Sequence, residues 1–165
     1  MDDTSYALMR RFARSFLRRK RNLLVCDVGS LDLNGTYKPL CSKQRYVGVD
    51  IAHGPNVDVV VEPYDYPFSD GAFDVVISGS TLEHVIDIYR WIKELARILK
   101  VGGWICVVAP AQIMHHPHPV DCWRVYPEGM KFLMESIAGL RVEKVRKKGI
   151  KRRAICVTSG IAQKC

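Results

Sequence analysis

Seven short apolar runs punctuate the chain: Leu23 to Val28, Tyr46 to Val49, Val57 to Val61, Phe73 to Ile77, Trp104 to Val108, Leu140 to Val145 and Ala154 to Thr158. A strand with one wet face alternates apolar and polar residues, whereas a strand covered on both faces reads as a near-continuous run of Val and Ile. These runs are of the second kind. They predict an α/β chain with a seven-stranded, mostly parallel sheet and helices outside it. The last two runs, with a turn near Lys148-Gly149-Ile150, read as a C-terminal hairpin that adds an antiparallel edge to the parallel sheet.

The segments between the later runs have helical spacing. Ser80 and Glu83 stand at the interval of a capping box, and Val85, Ile88, Ile92, Leu95, Ala96 and Leu99 form an apolar face that ends at Gly102-Gly103. Asp87 offers a second start for the same helix. Pro127 suits a first helical position and opens a helix over Glu128 to Ala138 that stops at Gly139, with Tyr126 as a poor capping residue before it. Between the second and third runs only Ile51 to Asn56 remain, too few for a helical crossover. That interval predicts an extended connection, a short third strand and trimmed helices on one sheet face.

At 165 residues the chain reads as a single domain, 1–165, with a basic amphipathic helix in 1–21 and a core in 23–165. In that first helix Tyr6, Met9, Phe12, Ala13, Phe16 and Leu17 share a face opposite Arg10, Arg11, Arg14 and Arg18. The stripe fits packing on the domain; a membrane-surface role is the alternative. No apolar run is long enough to cross a bilayer and no leader pattern opens the chain, so the expected location is cytoplasmic. Six cysteines without C-x-x-C spacing read as free thiols rather than metal ligands. The net charge of +8 is uneven, since Arg10 to Arg21 and Arg141 to Arg153 hold 15 of the 25 Lys and Arg. Such stretches are solubilising surface or attract nucleic acid, anionic lipid or a phosphorylated substrate.

Ligands of open parallel sheets settle beyond the carboxyl ends of the strands. Asp27 and Gly29 end the first run in "VCDVGSLDLNG", and Asp50 ends the second, about twenty residues on, where a carboxylate can accept both hydroxyls of a ribose. A dinucleotide would want a third glycine and a helix N-terminus for its pyrophosphate, and Asp27 and Asp32 would repel that diphosphate. The same acids would welcome a cation. S-adenosylmethionine, a nucleoside carrying an ammonium and a sulfonium, fits this turn better than NAD.

Together with "YVGVDI", "PFSDGAFDVVISGSTLEHV", "LARILKVGGWICVVAP" and "HPVDCWRVYPEGM", this turn resembles the class I S-adenosylmethionine-dependent methyltransferases of the type 11 branch, over residues 23 to about 138. The resemblance implies a Rossmann-like fold. It also implies that Asp27, Gly29, Ser30 and Gly35 face the methionine part of the cofactor, that Asp50 holds the ribose with Ile51 against the adenine, that Tyr64 and Asp65 border the base, and that Ser78, Gly79 and Ser80 line the methyl side. Leu31 stands where the family has a second glycine and Val101 where it has proline. The first departure predicts a wider turn and a short following helix.

The loop "AQIMHHPHPVDCWRVY" resembles the segment that covers the methyl group in related enzymes. His115, His116 and His118 are the candidate bases, with Asp121 to orient one of them, Arg124 to hold an acidic acceptor, and Trp123 and His84 as pocket walls. A metal is not expected, because His-His-Pro-His does not readily turn three side chains to one point. The expected activity is methyl transfer to a small-molecule or glycan-like acceptor at oxygen. A cofactor- or partner-binding domain without turnover and an RNA methyltransferase are the alternatives, the latter weakened by the absence of an Asp/Asn-Pro-Pro-Tyr sequence after the fourth run.

Overall fold

The computed structural model describes residues 3–150 and 155–165. Its strands are β1 (Leu24–Val28), β2 (Arg45–Asp50), β3 (Val59–Val60), β4 (Phe73–Gly79), β5 (Leu99–Gln112), β6 (Arg141–Ile150) and β7 (Ile155–Gln163). They form one seven-stranded sheet in the order β3-β2-β1-β4-β5-β7-β6. Strands β1 to β5 are parallel, and β7 pairs antiparallel with both β5 and β6. The last two strands thus form the expected antiparallel pair at the edge of the sheet, and β7 is its reversed strand. It lies between β5 and β6, and the edge strand β6 runs with the rest of the sheet. Lys148, Gly149 and Ile150 belong to β6 rather than to a turn, and Ala154, the expected start of the last strand, lies outside the described residues.

Successive residues of each strand feed two cores. Cys26, Val28, Val76, Ile105 and Val107 pack beneath α2 (Ile88–Ile98) and α3 (Pro127–Phe132), while Val25, Val75, Ile77, Cys106 and Val108 pack beneath α1 (Asp3–Phe12). Helix α1 continues as a π-helical stretch, Ala13–Leu17, and Met9, Phe12, Ala13 and Leu17 are buried on the sheet. Its apolar stripe is a packing face. The α1 side of the sheet is the trimmed one: β1 is followed by loop and a single 3-10 turn, Lys38–Cys41, and no helix bridges β2 to the two-residue β3.

The chain fills that gap with Asn56, which adopts a left-handed conformation, φ 69°. Its Nδ2 donates to the Ser30 carbonyl, the Thr36 hydroxyl and the Tyr46 hydroxyl at 2.8–2.9 Å, while its own carbonyl accepts from the Ser30 hydroxyl at 3.0 Å. That carbonyl sits against Gly48 of β2, where an added Cβ would lie 2.0 Å from the oxygen. A side chain at position 48 and this loop path exclude each other.

Helix α2 starts at Asp87, not at Ser80. Ser80 has φ 58° and Leu82–His84 form an isolated 3-10 turn, so the expected capping box does not form. Asp87 Oδ1 instead accepts from the Arg90 amide at 3.0 Å, and the Asp87 amide donates to the Tyr64 hydroxyl at 3.0 Å. Replacing Asp87 with alanine should cost about 1 kcal/mol of unfolding free energy, read from the urea midpoint; no measurable loss would mean the cap contributes nothing. The helix ends at Ile98, before Gly102-Gly103, because Leu99 already pairs with Phe73 in the sheet.

Candidate functional site

The strand order reverses between β1 and β4, and there, beyond their carboxyl ends, a cavity of about 1010 Å³ opens. Asp27, Gly29, Ser30, Gly35, Asp50, Ile51, Tyr64, Gly79, Ser80, His84, His116 and His118 line it. Such a volume is at the upper end for small-molecule sites and accommodates a nucleoside together with a second molecule. Leu33, Ile51 and Ile86, each more than half exposed, give it an apolar rim.

At its floor the Asp27 carboxylate is 2% exposed. Oδ2 accepts from the Tyr46 hydroxyl at 2.6 Å, whereas Oδ1 has no hydrogen-bond partner among the described residues. Burial pushes the Asp27 carboxyl up to about 7, with the Tyr46 bond opposing and the charge of Asp50 adding to the rise. Asp50 ends β2, and its oxygens accept from the Leu31 amide at 3.0 Å and the Ala52 amide at 3.2 Å, which fixes the carboxylate beside the glycine turn. Among the described residues the lining contains no Lys or Arg.

Gly29 holds the turn close to β4. Its φ is +80°, and a Cβ there would fall 2.0 Å from Thr81 Oγ1. No α-helix starts at the turn, and Asp32 spends Oδ1 on the Gly35 amide at 2.7 Å.

The lining also contains three histidines. The His84 Nδ1 lies 2.6 Å from the Val120 carbonyl, and the His116 Nδ1 lies 3.0 Å from the Met114 carbonyl and 3.4 Å from Asp121 Oδ2. The two rings meet edge to face with centroids 5.2 Å apart, and the His118 ring is 6.3 Å from that of His84. His84 is held below its ordinary value, chiefly by burial and further by His116 and His118, against the raising effects of the Val120 carbonyl and Asp121. The loop is seated by the Glu83 carbonyl, which accepts from the Cys122 amide at 2.7 Å.

Six of the expected residues stand off the cavity lining. Ser78 is buried and donates to the Val28 carbonyl at 2.7 Å, a bond between strands. Asp65 is exposed on a small turn closed with Glu62. His115 is exposed on the outer side of the loop. Arg124 is not free for an acceptor, because both its terminal nitrogens are committed to Asp121, whose carboxylate is fully buried and held well below the usual range by that guanidinium. Asp121 in turn accepts from the His116 amide at 2.8 Å, and Trp123 Nε1 donates to the Val85 carbonyl at 2.7 Å. These three hold the loop. Conversely, Tyr37, Thr81, Glu83 and Ile113 line the cavity without having been singled out for it. Glu83 was hidden by its place in an apparent capping box, although its neighbour His84 was a usable signal.

Away from the cavity, the two basic stretches of the sequence meet. Arg10 and Arg11 of α1, Arg14 of the π-helical stretch that continues it, and Arg146, Lys147 and Lys148 of β6 line one groove of about 530 Å³. No described helix is long and apolar enough to cross a membrane.

A family model described as a methyltransferase domain matches residues 12–107. The chain is 30% identical over 129 residues to the demethylmenaquinone methyltransferase of Thermobifida fusca, covering 76% of this chain and 48% of that protein. It is 28% identical over 99 residues to a 2-methyl-6-phytyl-1,4-hydroquinone methyltransferase of Oryza sativa, covering 55% of this chain and 25% of that protein. These matches span from a quarter to about half of the relatives' lengths. Among solved structures, an S-adenosylmethionine-dependent methyltransferase of Methanosarcina mazei superposes with a TM-score of 0.73 at 17% identity, over 93% of this chain and 96% of the other. The 1,6-didemethyltoxoflavin-N1-methyltransferase of Burkholderia thailandensis, solved with S-adenosylhomocysteine, gives 0.78 at 14% identity over 99% and 79%. With a family model covering more than half its length, the chain belongs to the class I S-adenosylmethionine-dependent methyltransferases.

Proposed function

We propose that this chain binds S-adenosylmethionine in the cavity at the β1–β4 crossing and transfers its methyl group to a small-molecule or glycan-like acceptor, at oxygen. The observation that carries the reading is a pair of carboxylates, Asp27 and Asp50, at the ends of adjacent strands in a cavity whose described lining offers them no Lys or Arg. Asp27 Oδ1, buried without a partner, suits an ammonium group, and Asp50 suits the paired hydroxyls of a ribose. A diphosphate would meet two acids and no helix N-terminus, which disfavours a dinucleotide.

When bound, the sulfonium supplies an electrophilic methyl group, so the protein's task is chiefly alignment, a source of about 7 to 11 kcal/mol. Tyr64, tied through its hydroxyl to the start of α2, and Ile51 form the sides available to a flat base. The imidazoles of His84, His116 and His118 border the acceptor end, where a neutral ring nitrogen takes a proton from a hydroxyl acceptor. The loop carrying two of them is stiffened by the Asp121–Arg124 pair. Relatives named for hydroquinone and tocopherol substrates support an acceptor with a ring hydroxyl.

Calorimetry with S-adenosylhomocysteine and with NADH tests the reading directly. The first should bind and the second should not, and Asp50→Asn should weaken the first about 100-fold, the loss of charge-assisted bonds to two hydroxyls. Preferential binding of NADH would replace the proposal with an oxidoreductase.

A further inference from the structure

Three cation ligands of two chemical types converge at the acceptor end of the cavity. Glu83 Oε1 lies 3.9 Å from His84 Nε2 and 3.9 Å from His116 Nε2, and the three ligand atoms all fall within 4.8 Å of one another. Glu83 is 1% exposed, and both histidines are half-buried.

The tautomers follow from the other ring nitrogens. A carbonyl oxygen only accepts, so the contacts of His84 Nδ1 to Val120 and of His116 Nδ1 to Met114 place a hydrogen on each Nδ1. In a neutral imidazole this leaves a lone pair on each Nε2, and both lone pairs lie near the same carboxylate oxygen. Two acceptors and a carboxylate at 3.9 Å are too far apart for direct hydrogen bonds. They are near the spacing of ligands sharing one ion, because nitrogen and oxygen ligands at about 2.0 to 2.2 Å from a tetrahedral centre stand about 3.4 Å from each other. Carbonyls that fix the distal nitrogens, and Asp121 behind His116, are the outer contacts such ligands need to hold their orientation.

We infer that Glu83, His84 and His116 form a binding site for one divalent first-row transition ion, of the Zn²⁺, Co²⁺ or Fe²⁺ class. Two imidazoles and one carboxylate select these over Mg²⁺ or Ca²⁺, which prefer all-oxygen sites. Three protein ligands leave a coordination position open, and the cluster faces the cavity that Asp27 and Asp50 also line. Resting on the proposed methyl transfer, the use of that position is to hold an acceptor through an oxygen donor. This assigns the acceptor to oxygen ligands such as phenols, enols or vicinal diols, and it takes His84 and His116 out of the base role. The sequence reading expects no metal, because His-His-Pro-His cannot readily turn three side chains to one point; here only His116 of that run takes part, and the other two ligands come from the 3-10 turn after β4.

The chelator-treated full chain, titrated with Co²⁺ and followed by visible absorption, should take up one ion that Zn²⁺ displaces. Affinity should fall at least about tenfold in His116→Ala and in Glu83→Gln and stay unchanged in His115→Ala, which removes an imidazole of the same loop outside the cluster. His116 is partly exposed, so its variant carries the test should Glu83→Gln fail to fold. No uptake, or equal losses in the His115 and His116 variants, would overturn the site. Binding of S-adenosylhomocysteine to the ion-free chain is scored separately: its failure beside intact Co²⁺ binding leaves the metal site standing and counts against the cofactor reading alone.

Discussion

Asp27→Asn should melt about 5 to 10 °C higher than the parent chain at pH 8 in the absence of cofactor, and should bind S-adenosylhomocysteine at least about tenfold more weakly. The carboxyl is buried, with one oxygen unpartnered, and is pushed up to about 7 from 3.8. An acid raised on folding binds its proton in the native chain over a range where the unfolded chain has lost it. The fold therefore weakens as pH rises from about 4 to 7 and carries the full penalty above 7. At 1.36 kcal/mol per unit that penalty is on the order of 4 kcal/mol, and about 2 to 4 kcal/mol of it returns when an uncharged amide of the same shape takes the place. For a chain of this size each kcal/mol moves the melting point by about 2 to 4 °C. The gain should shrink toward pH 4, where the parent carboxyl is protonated in both states. Cofactor affinity of the parent should fall as pH drops through 7, because the proposed ammonium partner is then neutral. A variant that melts no higher at pH 8, or binds as tightly as the parent, would show that Asp27 is not a strained carboxylate kept for a cation.

Gly48→Ala should destabilise the chain by about 3 kcal/mol, a drop of about 6 to 12 °C in melting point. Most overpacked sites relieve strain by swinging the far end of a side chain. Here the obstacle is the Asn56 carbonyl, 2.0 Å from the new Cβ, and that peptide is fixed by the bonds of the same residue to Ser30, Thr36 and Tyr46. Relief means lifting the 51–58 connection off the sheet, which pulls on Ser30 in the glycine turn and on Asp50 at the end of β2. The variant should therefore also lose affinity for S-adenosylhomocysteine. A loss under about 1 kcal/mol in a urea titration would mean that the connection is looser than its hydrogen bonds indicate.

The features legible in the sequence were those with a short-range cause. Runs of Val and Ile declared the buried strands, six residues between two runs ruled out a crossover helix, and the missing second glycine at Leu31 foretold that the following helix would shrink, which it does to one 3-10 turn. What escaped was set by distant contacts. The strand order at the C-terminal end is decided by β5 pairing across more than forty residues with β7, which no local pattern reports. Ser80 and Glu83 obey the capping spacing, yet the tight turn after β4 places Ser80 in a left-handed conformation and sends Glu83 inward to the histidines. Asp27, Gly29 and Asp50 were readable because strand ends fix their positions. Arg124 was not, because its guanidinium is held by Asp121, three residues away on an irregular loop that no periodicity describes.

The place of β7 sets an order of assembly. A chain made from its amino end releases β6 before β7, and β6 has no neighbour in the finished sheet except β7. The edge must wait, its amides unpaired, until β7 arrives and slides in as a wedge between it and β5. Strand β7 is thus the keystone of that end of the sheet, and nascent chains halted short of it hold an incomplete sheet with a bare flank open to other strands.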